Sequence, residues 1–184
     1  MKVALIVPEY TANIIRNVAE ENLDNMELDV MVYKNYLKAV EIVEKVQKRY
    51  DAIMFAGIVV YSFVKSHVKE ECIWGYFPLH ESSLSFAILK ALYIKENIKN
   101  ISIDTYSMES IKEVYDFIGI DFDEVNVMLY DVKADSYSIT EDALKFHKNN
   151  LKNKDNICII TALSDVNKQL NIEKISCHMA IPTK

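Results

Sequence analysis

The sequence predicts an α/β protein made of two Rossmann-like lobes, each a parallel sheet covered by helices. Three observations carry that expectation. Short apolar, β-branched runs at residues 3–7, 52–56 and 72–77 alternate with stretches of helical spacing, and the same beat continues through the second half. Each run stops at a break before the next helix begins. With three Gly and three Pro in 184 residues, no flexible linker separates the halves. A parallel strand buries both faces and needs a crossover, usually a helix, so strand–break–helix repetition points to parallel sheet.

The elements follow in order. Residues 3–7 form the first strand; one Lys, a short apolar run and no small-residue cleavage site set it apart from a signal peptide. It stops at Pro8-Glu9-Tyr10-Thr11, before a helix over 12–23 and a strand over 28–33. The helix over 36–49 carries Leu37, Val40, Val43 and Val46 on one side, with Lys38, Glu41, Glu44, Lys45 and Lys48 outside. A strand over 52–56 halts at Gly57, before a helix over 58–68. The strand over 72–77 leads through Pro78-Leu79-His80-Glu81-Ser82-Ser83 into a helix over 83–97, striped by Leu84, Ala87, Ile88, Ala91 and Leu92. The lobe boundary is expected here, giving an N-terminal lobe over 1–98 and a C-terminal lobe over 99–184.

The second lobe begins with a strand over 101–105 and a helix over 108–118 ended by Gly119 as a C-cap. A strand over 125–130, a helix over 139–150 opened by the capping box Ser138-Ile139-Thr140-Glu141, and a strand over 156–161 come next. A short helix over 164–170 and a strand over 177–181 close it. Alternation calls for one more helix after Pro182-Thr183-Lys184, so the chain reads as a fragment of a longer protein.

Composition narrows the function. Hydrophobic residues make up 51% and charged residues 26%, ordinary for a well-cored domain, and no apolar run approaches bilayer length. A cytoplasmic location is expected. The net charge of −6 and scattered Lys argue against phosphate neutralisation, so this segment does not itself bind DNA. Cys72, Cys158 and Cys177 are widely spaced and lie in or beside apolar runs; they read as buried thiols, without the close pairs a zinc site wants. GxGxxG, Walker, HExxH and GxSxG sequences are all absent, so no cofactor, metal or catalytic residue is assigned.

Ligands of parallel α/β sheets sit beyond the carboxyl ends of the strands, which makes the breaks the candidate site. In the first break Thr11 is placed to cap the following helix, while Glu9 and Tyr10 face a ligand. Gly57 permits a tight turn or close backbone approach, and Tyr61 follows it on the helix. In the third break Ser82 or Ser83 opens the helix, whose free amides suit a carboxylate or phosphate. His80 adds a group that changes charge near neutral pH. From the second lobe Tyr106, Ser107, Thr161 and Ser164 stand at strand ends. The ligand-binding set is thus Glu9, Tyr10, Thr11, Gly57, Tyr61, His80, Ser82, Tyr106, Ser107, Thr161 and Ser164. Two alternatives stay open: a small-molecule enzyme using His80 and Glu9, and a ligand-free dimerisation or interaction module.

Over nearly its whole length the chain resembles the N-terminal sensory domains of bacterial transcription activators typified by the propionate catabolism activator. The likeness rests on Asp51-Ala-Ile-Met-Phe-Ala-Gly57 before a helix, and on Tyr76-Phe77-Pro78 leading to Leu84-Ser-Phe-Ala-Ile-Leu-Lys-Ala-Leu92. Lys99-Asn-Ile-Ser-Ile103, Ile159-Ile-Thr161 with the helix to Leu170, and residues 178–183 extend it. The family's paired glycines and Thr are here Ala56-Gly57-Ile58-Val59. The resemblance implies a fold similar to periplasmic binding proteins, a cleft between lobes for a small organic effector, and a DNA-binding or activator module elsewhere in the full polypeptide. A homodimer is an admissible partner.

Overall fold

Unbroken burial along the first strand sets the architecture. In the computed structural model, which describes residues 1–9, 11–22, 26–133, 136–154 and 156–181, β1 (Lys2–Pro8) buries five consecutive residues, Val3 to Val7. Ala4 and Ile6 meet one core; Val3, Leu5 and Val7 meet another. A strand apolar on both faces must be covered twice. α1 (Ala12–Asn22) supplies Ala12 and Ile15 to one face. On the other lie α2 (Tyr36–Val46) and α3 (Ile58–Lys65), packing Ala39, Val43, Val60 and Val64 onto Ile6, Ile53 and Phe55. With β2 (Glu27–Tyr33), β3 (Ala52–Phe55) and β4 (Ile73–Tyr76), the sheet is parallel throughout, in the order β2-β1-β3-β4.

The second half repeats that order. β5 (Asn100–Asp104), β6 (Asn126–Tyr130), β7 (Cys158–Thr161) and β8 (His178–Met179) form a parallel sheet ordered β6-β5-β7-β8. Ile101 and Ile103 meet α4 (Glu81–Tyr93) and α5 (Met108–Phe117) through Leu84, Ala87, Ile88, Ile111 and Val114. Toward α6 (Ile139–Asn153) point Ser102 and Asp104, both of which bond to His147. α7 (Ser164–Ile172) completes the set. The expected two-lobed parallel α/β fold is the fold observed.

Contacts divide the chain into two compact units. One holds Met1–Pro78 with Tyr137, whose hydroxyl lies 2.6 Å from His67 Nε2. The other holds Leu79–Lys133 and, among the described residues, the chain from 138 to 181. α4 therefore groups with the second sheet, its apolar stripe closing that core, where the sequence suggested a boundary after residue 98.

Element ends follow backbone chemistry. α4 stops at Tyr93 because Lys95 adopts φ +63°, and the Glu96 and Lys95 amides bond back to Ala91 and Leu92 at 3.0 and 2.9 Å. That is a Schellman ending built on Lys where Gly is usual. Gly119, at φ +76°, ends α5 in the same way, as its sequence position indicates. β5 ends one residue early because Thr105 has φ +68° and cannot continue a strand. At Ser138 the hydroxyl donates to Asp142 Oδ2 at 2.6 Å, so a link to Asp142 stands where a capping box was expected. Among the described residues no helix is long and apolar enough to cross a membrane.

Candidate functional site

Strand order locates the site in each unit separately. β1 connects outward to β2, and the chain then returns to the far side of β1 as β3; β5, β6 and β7 do the same. The order therefore reverses between β1 and β3 and between β5 and β7. At such a reversal the flanking crossovers lie on opposite faces, leaving a crevice outside the carboxyl ends.

The second crevice is walled by a buried polar network. Asp104 ends β5 with no exposed surface. Its Oδ1 accepts from Thr105 Oγ1 at 2.6 Å and the Ala162 amide at 3.0 Å. Its Oδ2 accepts from Thr161 Oγ1 and from His147 Nε2 at 3.1 Å. Ser102 Oγ lies 2.8 Å from His147 Nδ1 and accepts from Asn150 Nδ2 at 2.9 Å. With His147 Nε2 donating to Asp104 and Nδ1 accepting from Ser102, every donor in this network finds an acceptor. All four acceptor positions of the carboxylate are then used. Asp104 is a clamp joining β5, β7 and α6, with no capacity left for a substrate.

That clamp holds a strained turn open to the crevice. Thr105 is β-branched yet sits in the left-handed region, where such residues are outliers. Its hydroxyl is tied to Asp104, and the Tyr106 amide bonds back to the Asp104 carbonyl at 2.9 Å. The turn sends Tyr106 inward, where the ring is buried and its hydroxyl has no hydrogen-bond partner. Ser83, on the first turn of α4, is also buried with an unpartnered hydroxyl. Burial pushes the Tyr106 phenol upward, a hydrogen-bonding interaction with the Ser83 hydroxyl, looser than a well-formed bond, eases that rise, and the charges of Glu81 and Asp104 add to it. A buried hydroxyl left unmet costs about 1–3 kcal/mol, so a pair at a switch point with at best each other to bond marks a place for a ligand's polar group.

The neighbouring residues fix the rim. Ser107 caps α5, accepting the Ser110 amide at 3.1 Å. Ser110 Oγ donates to Glu81 Oε1 at 2.9 Å. Glu81 is held below its ordinary pKa by its own backbone amide and by Ser110, so a carboxylate of the chain already occupies the positive end of α4. His80 takes the N-cap position without a side-chain cap bond and is exposed. The helix thus opens two residues ahead of the Ser82–Ser83 start read from sequence; Ser82 is exposed on the first turn and Ser83 turns into the core. Thr161 is buried in the clamp, and Ser164 is half-buried at the start of α7.

The first crevice is drier. Glu9 is exposed beyond β1, and Tyr10 lies outside the described residues. Thr11 accepts the Ile15 amide at 2.9 Å through its carbonyl, as an N-cap residue does, but its buried hydroxyl makes no bond. The side-chain cap expected there is therefore not formed. Gly57 precedes α3 with φ 178°, extended backbone open to any residue, and an added Cβ would meet nothing within 4 Å. Its effect is to leave the start of α3 uncovered; no tight turn requires it. Tyr61 meets Phe55 edge-to-face and Tyr76 at a tilt, at 5.7 and 5.0 Å between centroids, and accepts from Lys65 Nζ at 2.8 Å.

Sequence reasoning missed Ser102, Asp104, Thr105 and His147. Two signals were present: polar Ser102 and Asp104 alternate with Ile101 and Ile103, and His147 stands four residues after Ala143 on the buried face of its helix. All three cysteines are free, and burial pushes each thiol upward. Cys158 is buried on β7, whereas Cys72 and Cys177 are half-buried just before their strands.

No protein-family model matches the chain, and comparison with curated proteins gives no match. Comparison with solved structures does give similar chains. An NtrC-family transcriptional regulator from Clostridium acetobutylicum aligns over 100% of this chain and 89% of its own, at 16% identity and a TM-score of 0.67. A LacI-family transcriptional regulator from Arthrobacter sp. FB24, in complex with lactose, aligns over 97% of this chain and 75% of its own, at 13% identity and a TM-score of 0.42. The first likeness, at its identity, establishes a shared two-sheet α/β fold.

Proposed function

We propose that the chain is the effector-sensing domain of a cytoplasmic bacterial transcriptional regulator. The observation that carries this reading is the coincidence of unpartnered buried hydroxyls with switch points: Tyr106 and Ser83 in one unit, Thr11 in the other. Its fold is shared with an NtrC-family regulator, in keeping with the activator-type sensory domains the sequence resembles. The effector is a small organic molecule bound at these crevices, and DNA is met only by a separate module of the full-length protein. Burial sets most of the rise in the Tyr106 phenol, and the charges of Glu81 and Asp104 add to it, so the carboxylates near the second crevice are negative neighbours for a ligand. A neutral ligand offering hydroxyl, carbonyl or amide groups suits it better than a polycarboxylate.

A sensor, and not an enzyme, is the reading these groups favour. Ser102, His147 and Asp104 form a hydrogen-bonded chain of the types used in acyl transfer, but Asp104 is shared with Thr105, Thr161 and the Ala162 amide and Ser102 with Asn150, so the chain reads as the clamp that joins β5, β7 and α6. A thermal-shift screen of uncharged and charged metabolites tests the proposal. Stabilisation by one chemical class, led by neutral polar compounds, supports it; a flat profile across the screen contradicts it.

One further observation favours pairing with a second copy. Phe86, Leu89 and Phe117 are 54%, 52% and 85% exposed and, with Val114, line a cavity of about 350 Å³ on the α4–α5 face. Light scattering of Phe117→Ser against the native chain decides it: loss of a dimer supports the reading, and a native monomer removes it.

A further inference from the structure

The opposite edge of the second sheet carries a different chemistry. Glu96 follows the Schellman ending of α4, which fixes its backbone through the Ala91 carbonyl. Cys158 opens β7, and His178 opens β8 in register with Ile160. Parallel register partners point the same way, so Cys158 and His178 share the face that the end of α4 covers. A carboxylate oxygen of Glu96, Cys158 Sγ and a ring nitrogen of His178 all lie within 4.8 Å of one another. Cys158 is 1% exposed and His178 9%, while Glu96 is half-buried. Ser176 Oγ donates to one Glu96 oxygen, and His178 Nε2 lies 2.9 Å from the other.

We propose that Glu96, Cys158 and His178 form a binding site for a single zinc-like divalent cation. Thiolate, imidazole and carboxylate together are the donor set of a borderline-soft first-row ion; calcium and magnesium take oxygen alone. Bonds of about 2.0–2.3 Å to three such atoms need donors roughly 3.3–3.8 Å apart, so closing on an ion asks for side-chain adjustments of under an ångström or so. Three protein donors leave the fourth tetrahedral position to water or another small ligand. On binding, the Cys158 thiol gives its proton to solvent and the sulfur lone pair to the metal, with no redox change. Ser176 acts from outside the coordination set, orienting the Glu96 carboxylate as outer-shell donors do. The site is distinct from the effector crevice, because it lies at the amino edge of the same sheet. Separations of 62 and 20 residues between the donors hid it from any motif of closely spaced ligands.

The test uses the full 184-residue chain with Co²⁺ and Zn²⁺ as probes. The native protein is expected to take up one equivalent of Co²⁺ with a thiolate-to-cobalt charge-transfer band in the near ultraviolet, and Zn²⁺ is expected to displace it. Cys158→Ser removes the band and His178→Gln weakens binding by about tenfold or more, while Cys72→Ser and Cys177→Ser keep both. Glu96→Gln, at a half-buried position, reads the site should the Cys158 variant fail to fold; it is expected to weaken uptake by about tenfold. No uptake by the native chain overturns the proposal. So does a band that survives Cys158→Ser or disappears with Cys177→Ser.

Discussion

The two sheets share one strand order and differ in what fills their crevices. Around β1 and β3 the walls are apolar: Val7, Phe55 and Ala12 are buried, and Thr11 is the orphaned hydroxyl. Around β5 and β7 the same topology encloses a saturated carboxylate, an imidazole, two clamped hydroxyls and a strained threonine. Topology supplies the crevice in both cases, and residue chemistry decides how firmly its wall is held. In the first unit hydrophobic packing does this without geometric demands. In the second, directional bonds fix one backbone conformation, including a φ that packing alone does not hold.

The sharpest way to break this contrast is to remove the clamp. Asp104→Ala leaves His147, Thr161 and the Ala162 amide without their acceptor and is expected to cost about 3–5 kcal/mol in urea unfolding. A loss under about 1 kcal/mol would mean the network holds nothing. In the apolar unit, Leu5→Ala leaves a cavity and is expected to cost about 2–5 kcal/mol, by the same measurement. The orphaned hydroxyls predict the opposite sign. Tyr106→Phe and Thr11→Val each remove an unmet buried group and are expected to raise stability by about 1 kcal/mol, seen as a higher melting temperature.

A smaller gain is expected where Lys95 holds a left-handed conformation. Lys95→Gly relieves roughly 1 kcal/mol of backbone strain, offset in part by greater chain entropy in the unfolded state. The weakest effect is electrostatic. Glu81 has a folded pKa below its ordinary 4.5, from its own backbone amide first and Ser110 second. Its stabilisation is complete above that ordinary value and is lost as pH falls through the lower folded value. Urea midpoints measured down the acid limb are expected to fall less steeply in Ser110→Ala than in the native chain.

Much of the fold was legible because burial leaves a periodic trace. Val3 to Val7, Ala52 to Phe55 and the stripe Leu84, Ala87, Ile88 and Ala91 are apolar where both faces or one helix side must be dry. Element ends were less legible: Lys95 and Lys174 adopt positive φ without being glycines, and Thr105 ends β5 through a bond to its neighbour. Of the site, the turns after the strands could be read from their breaks. The clamp could not, because Ser102 and Asp104 meet His147 across 45 and 43 residues, and pairing over that separation leaves no local pattern. Gly57 and Thr11 carried plausible local meanings, yet one has an unconstrained backbone and the other an unbonded side chain.

The central claim is that the second crevice is an effector site in which Tyr106 meets the ligand's polar group. Isothermal titration of a neutral polar metabolite taken from the thermal-shift screen, into the native chain and into Tyr106→Phe, tests it most directly. The account predicts one site per chain and affinity at least about tenfold weaker in the variant, a change of roughly 1.4 kcal/mol, in a protein that melts no lower than the native one. Equal affinity in the two proteins would contradict it.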